Sequence, residues 1–128
     1  HFKSVNDTYG HQAGDAVLRQ LADVLRTTAR EIDRVGRYGG EEFIVLLPGA
    51  HLADAVAFAE RVRHAVDARV FRYEGGTLQR TLSAGVAEYR SGDSEESLLA
   101  RADAALYRAK SAGRNRVESD AEDPAPSA

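Results

Sequence analysis

Residues Asp33–Leu47 read DRVGRYGGEEFIVLL, and the fold turns on this stretch. Two short strands are expected, over Asp33 to Tyr38 and Glu42 to Leu47, with Gly39-Gly40 as a two-residue turn between them. Both central positions of a type I′ turn need positive φ, which glycine adopts without steric cost. Phe43-Ile44-Val45-Leu46-Leu47 is apolar at every position. A strand of that kind is expected to be central and covered on both faces. Pro48-Gly49 ends it.

Working outward, Val17, Leu18, Leu21, Val24 and Leu25 fall on one face of a 3.6-residue period. They predict a helix from Asp15 to about Ala29, preceded by a short helix from Phe2 that stops at Gly10. Downstream, Leu52 to Ala68 carries a second stripe of Ala55, Val56, Ala59, Val62 and Val66. Val70 to Tyr73 and Leu78 to Tyr89 read as strands on either side of Gly75-Gly76. Ser94 is placed as an N-cap, with Glu95 and Glu96 complementing the helix dipole. That helix runs through Leu98, Leu99, Ala102, Leu106 and Ala109 and stops at Gly113, and Asn115 to Glu118 is a last short strand. The tail from Ser119 to Ala128 (SDAEDPAPSA) has no large apolar residue and is expected to be disordered. Helices alternating with strands around one hairpin give an α+β fold, an antiparallel or mixed sheet with helices packed on it.

Composition removes several classes of function. The chain has no cysteine, so disulfides and thiolate zinc sites are excluded. His1, His11, His51 and His64 have no metal-pair spacing. A net charge of −3 gives no reason to expect nucleic-acid binding. No apolar run approaches a membrane span, and no signal peptide is visible. The 128 residues suit one domain, and because the first is His1 the chain is expected to be a piece of something longer.

Three patterns carry candidate chemistry. The Gly39-Gly40 turn lets a ligand approach the backbone, and Glu41-Glu42 after it offers hard oxygen donors suited to Mg²⁺ and phosphate chemistry. On the turn alone, a surface hairpin with solubilising glutamates is the favoured reading, since turn chemistry explains a glycine pair unaided. In Asn6-Asp7-x-Tyr9-Gly10-His11-x-x-Gly14-Asp15, amide and carboxylate side chains could read a guanine edge. Taken alone, the motif reads better as Asp15 capping a helix and Asn6 stabilising a turn. Lys110 and Arg114, four apart near a helix end, could clamp a triphosphate or merely complement the dipole. No G-x-x-x-x-G-K-[ST] loop is present, which excludes a Walker-type GTPase.

Taken together, Phe2 to Leu18, Gly36 to Phe43 and Arg101 to Asn115 resemble the GGDEF family of diguanylate cyclases in order and spacing, over residues 1 to about 118. The resemblance implies a palm-like, nucleotidyl-cyclase fold with a ferredoxin-like core and a mostly antiparallel sheet. It implies condensation of two GTP into cyclic di-GMP. Asn6 and Asp15 would hold the guanine, Gly39 and Gly40 would lie along the phosphates, and Lys110 and Arg114 would bind them. Glu41 and Glu42 would serve Mg²⁺ (or Mn²⁺) and the reacting centre. His11 would be structural, and Tyr38 and Phe43 would pack beside the turn. Two protomers would face each other, each holding one GTP, so a homodimer is part of catalysis. Arg30-x-x-Asp33, five residues before Gly39, matches the family's product-inhibition motif, with Arg61 a further contributor. The competing reading of Arg30 and Asp33 is an ion pair at a helix end.

The family pattern opens D-x-D-x-F-K, whereas this chain opens His1-Phe2-Lys3. Both aspartates, one of them a metal ligand, and the family's first strand would fall before residue 1. The 128 residues made alone are therefore expected to lack cyclase activity. The upstream sensor or receiver domain that family members carry would also lie outside. The resemblance implies a cytoplasmic domain, with a membrane anchor elsewhere left open. Two alternatives stand beside the enzyme: a catalytically silent domain that binds cyclic di-GMP or GTP, and an inactive fragment.

Overall fold

The computed structural model of the chain describes residues 11–39 and 42–120. They fall into two compact units, residues 11–48 with 64–80 and residues 49–63 with 81–120. The short helix expected from Phe2 to Gly10 lies outside the described residues.

In the first unit, helix α1 spans His11–Thr28. It begins four residues before the expected start, so Asp15 sits within the helix rather than capping it. Its apolar stripe, Ala13, Val17, Leu21, Ala22, Val24 and Leu25, is buried. Strands β1 (Arg34–Tyr38) and β2 (Glu42–Leu46) form the expected hairpin, antiparallel, with Val35 opposite Val45 and Tyr38 opposite Glu42. That register leaves residues 39–41 between the paired strands. Gly40 and Glu41, on which the expected two-residue turn rests, lie outside the described residues. Gly39 has φ +76°.

The expectation of a central, covered β2 is not met among the described residues. β2 pairs with β1 alone, Phe43 to Val45 are half-buried, and Leu46 is 55% exposed. An apolar run reports that burial is possible but does not name the neighbour that supplies it.

Strands β3 (Phe71–Tyr73) and β4 (Gly76–Leu78) form a second hairpin around Glu74-Gly75. Phe71 is buried against α1, and the Gln20 amide extends the β3 edge. Its Oε1 accepts from the Arg72 N–H at 3.1 Å, and its Nε2 donates to the Arg72 carbonyl at 2.5 Å. The long strand expected from Leu78 to Tyr89 is broken, since β4 ends at Leu78 and the next strand, β5, spans only Ala84–Val86. Helix α2 spans Leu52–Ala68, as its periodicity predicts, and buries Phe58, Ala59, Val62 and Val66.

In the second unit, β5 pairs in parallel with β6 (Val117–Ser119), and helix α3 (Glu95–Ser111) packs on both. Ser94 caps α3 in a reciprocal box with Ser97. Gly85 on β5 lies directly under α3, where an added Cβ would strike the Ala102 carbonyl and the Leu106 backbone. Arg101 ties α3 to both strand ends. It donates to the Asp120 carboxylate at 2.7 Å, to the Glu88 carbonyl at 3.1 Å and to the Asp93 carboxylate. The expected disordered tail therefore starts too early, because Ser119 closes β6 and Asp120 is held by Arg101 and Arg90. Residues 121–128 lie outside the described residues. No helix among the described residues is long and apolar enough to cross a membrane.

Candidate nucleotide site

The hairpin β1–β2 positions the first candidate group. β1 ends at Tyr38, Gly39 turns the chain with positive φ, and Glu42 opens β2 opposite Tyr38. Glu42 is half-buried, so its carboxylate is partly shielded at the mouth of the turn. Gly40 and Glu41 lie outside the described residues. Of the two aromatic residues expected to pack, Phe43 is half-buried with the Arg37 guanidinium 5.8 Å from its ring centre. Tyr38 is 41% exposed and does not pack as expected, because the ends of a short hairpin project its side chain to solvent.

Asp15 lies on the exposed face of α1, beside an open depression that it lines with Ala16, Arg19 and Glu74. Asn6 and the side chain of His11 lie outside the described residues. No group of three or more candidate metal-ligating side chains occurs among the described residues.

At the base of the same hairpin the structure brings Arg30 and Asp33 together. The Asp33 carboxylate accepts from the Arg30 backbone N–H at 2.7 Å, from Nε at 3.0 Å and from Nη2 at 2.7 Å. Arg30 Nη2 also donates to the Pro48 carbonyl at 2.9 Å, so one guanidinium holds the start of β1 and the exit of β2. The Asp33 side chain is 1% exposed. The Arg30 hydrogen bonds hold it below the usual carboxylate range, against a burial effect that pushes upward. The arrangement is thus the ion pair that local sequence also suggests.

Lys110, Arg114 and Arg61 belong to the second unit. Lys110 is in the last turn of α3. Arg114 is not on that helix face, although four-residue spacing suggests it. The helix closes in a Schellman turn, with the Arg114 N–H on the Ala109 carbonyl at 2.9 Å and Gly113 at φ +122°. Arg114 and Asn115 then follow in the left-handed region at φ 62° and 49°. Arg61 is exposed on α2, its guanidinium 5.9 Å from the Phe58 ring centre.

Three features were not read from the sequence. Arg63 on α2 donates to the Asn115 side chain 52 positions away, at 3.0 Å. Ser83 Oγ accepts from the Asn115 N–H at 3.1 Å. Asp93, Asp120 and the Glu88 carbonyl surround Arg101, which belongs to the motif but to which its residue type assigned no role. Only Asn115 could have been suspected, since asparagine after a Gly-Arg helix end tolerates the left-handed region.

Comparison with known proteins gives one consistent result. The family model for "Diguanylate cyclase, GGDEF domain" matches residues 1–116. Diguanylate cyclase A of Treponema denticola is 46% identical over 117 residues, covering 91% of this chain and 32% of that protein. This chain thus spans about a third of that relative. The GGDEF domain of DgcB from Caulobacter crescentus, solved in complex with c-di-GMP, superimposes with a TM-score of 0.88 at 41% identity, over 94% of this chain and 72% of that one. The active GGEEF domain of a Vibrio cholerae diguanylate cyclase does so with a TM-score of 0.86 at 36% identity, over 95% and 78%.

Proposed function

The chain belongs to the GGDEF family of diguanylate cyclase domains, and on that premise we propose that it condenses two GTP molecules into cyclic di-GMP. Each ribose 3′-hydroxyl gives up its proton to solvent as its oxygen attacks the α-phosphorus of the other nucleotide. Two phosphodiester bonds form, the two bonds to the β-phosphate oxygens break, and two pyrophosphates leave. The observation that carries this reading is the hairpin, which turns through Gly39 at φ +76° and opens its second strand with a half-buried Glu42. Such a turn lets phosphates approach the backbone beside a hard oxygen donor.

In this reading Asn6 and Asp15 take the guanine edge, Gly39 and Gly40 line the phosphates, and Lys110 and Arg114 neutralise them. Glu42 and its chain neighbour Glu41 would hold Mg²⁺ or Mn²⁺. One or two protein carboxylates completed by phosphate oxygens and water suit these ions, and a partly shielded glutamate at the turn fits that donor set. When bound, the metal stabilises the charge that develops on the phosphate. Each protomer supplies one nucleotide, so a homodimer completes the site, and an upstream sensor or receiver domain brings the two together.

Arg30, Asp33 and Arg61 form the proposed product-inhibition site. A second reading has its own support. The Asp33 carboxylate is already saturated by Arg30 in a buried corner that also engages Pro48, which suits a brace at the base of the hairpin. Cyclic di-GMP would have to draw Arg30 away from that brace. Titrating cyclic di-GMP against wild type and Arg30→Ala separates the two: binding by wild type alone supports the inhibitory site, and none by either leaves the brace.

The test of the main reading is incubation of the full-length protein with GTP and Mg²⁺, followed by chromatography. Cyclic di-GMP should appear and should vanish in Glu42→Ala. Surviving GTP in the wild type refutes the cyclase, and turnover unchanged by Glu42→Ala removes the metal assignment.

A further inference from the structure

Two consecutive residues other than glycine hold left-handed backbone just past α3, Arg114 at φ 62° and Asn115 at φ 49°. For arginine this region is disfavoured, because Cβ crowds the following carbonyl. It persists where surrounding contacts over-determine it, and such positions cluster at functional sites. Here the contacts are visible. The Arg114 N–H is fixed by the Ala109 carbonyl at 2.9 Å, and the Asn115 N–H by Ser83 Oγ at 3.1 Å. The Asn115 Oδ1 is fixed by Arg63 Nη1 at 3.0 Å. Arg63 is itself oriented by Glu60, whose carboxylate accepts from Nε at 2.7 Å, and its side chain is 16% exposed. The Arg114 carbonyl, in turn, accepts from Arg116 Nε at 3.3 Å.

Of this set, Arg114 is exposed and is the residue assigned to the phosphates in the proposed function. We propose that Arg63, through Asn115, is a positioning residue that locks the backbone of Arg114 and so aims its guanidinium at the nucleotide phosphates. The inference rests on the reading of Arg114 as a phosphate ligand. A long arginine on a free loop would lose more rotational freedom on binding than one whose backbone is already set. A guanidinium whose Cα shifts by about 1 Å loses the forked geometry phosphate recognition needs, which can cost on the order of a hundredfold. Glu60 and Ser83 complete the lock, through Arg63 and the Asn115 N–H.

The experiment is a double-mutant cycle in the full-length protein, read as the dissociation constant of a non-hydrolysable GTP analogue, with GMP as the comparison ligand and thermal melting as the control for folding. Arg63→Ala should weaken the triphosphate roughly tenfold or more and GMP far less. It should have no further effect on top of Arg114→Ala. Asn115→Asp keeps the acceptor and the left-handed tolerance and should bind like wild type. Asn115→Gly keeps only the backbone freedom, and it should reproduce Arg63→Ala even where that variant folds poorly. If Arg63→Ala and Arg114→Ala add in full, or GMP is weakened equally, Arg63 supports the fold and the proposal is overturned. It is overturned too if Arg114→Ala weakens binding and Arg63→Ala does not. If Arg114→Ala leaves triphosphate binding unchanged, the phosphate assignment fails first and takes the proposal with it.

Discussion

At the residue scale, Asp33 and Gly85 do more than their residue types announce. Asp33 is a buried carboxylate whose hydrogen bonds to Arg30 favour its charged form. A carboxyl whose folded pKa lies below its unfolded value contributes stability above the unfolded pKa and loses it as pH falls through the folded one. The ordinary value is 3.8, so the loss falls on the acid side of that point. Asp33→Asn should therefore be less stable than wild type at neutral pH, with the gap narrowing in acid melts below about pH 4. A gap that does not narrow would mean that the carboxylate charge is not what the corner uses. Gly85 is a packing requirement, since any Cβ there meets the Ala102 carbonyl and sits 2.8 Å from Leu106 Cα. Gly85→Ala should destabilise by about 1–3 kcal/mol, the usual scale of overpacking, readable in a urea midpoint.

At the element scale, each end of α3 is built differently. Ser94 and Ser97 exchange hydrogen bonds at its start, with Glu95 and Glu96 in the first turn. Ser94→Ala should cost about 1 kcal/mol in thermal or chemical unfolding, and an unchanged midpoint would show that the box is dispensable. The other end leaves in the left-handed pair that carries Arg114. The β1–β2 hairpin holds a comparable requirement in Gly39 at φ +76°, where the added Cβ would meet no neighbour among the described residues. Gly39→Ala should thus cost only the backbone penalty of about 1–2 kcal/mol, while its effect on GTP turnover should be larger if phosphates approach the turn. Equal small losses in both would place the turn away from the nucleotide.

At the scale of the whole molecule, the proposed reaction needs two copies, because in that reading each domain would hold one nucleotide. Specific activity of the full-length protein should fall on dilution, in step with the loss of dimer by sedimentation. Activity per protomer that holds constant into the monomeric range would refute the two-copy mechanism. Within each unit the core follows the helix stripes: Val17, Leu21 and Leu25 with Phe71 in one, Ala105 and Ala109 over β5 and β6 in the other.

Local chemistry was sufficient for much of this. Periodicity placed α2 at Leu52–Ala68, the N-cap at Ser94 and the stop at Gly113, because capping, glycine backbone freedom and a 3.6-residue stripe act within a few positions. The combination of motifs also identified the family, since order and spacing survive in the sequence itself. Tertiary structure alone decided the rest. The break between Leu78 and Ala84 and the hold on Ser119 and Asp120 both depend on which strand or cation faces them. So do the bond from Arg30 to the Pro48 carbonyl and the hold of Arg63 on Asn115, 52 positions away. Residue type determines what a side chain can bond, but a partner distant in sequence is assigned only when folding brings it within hydrogen-bond distance.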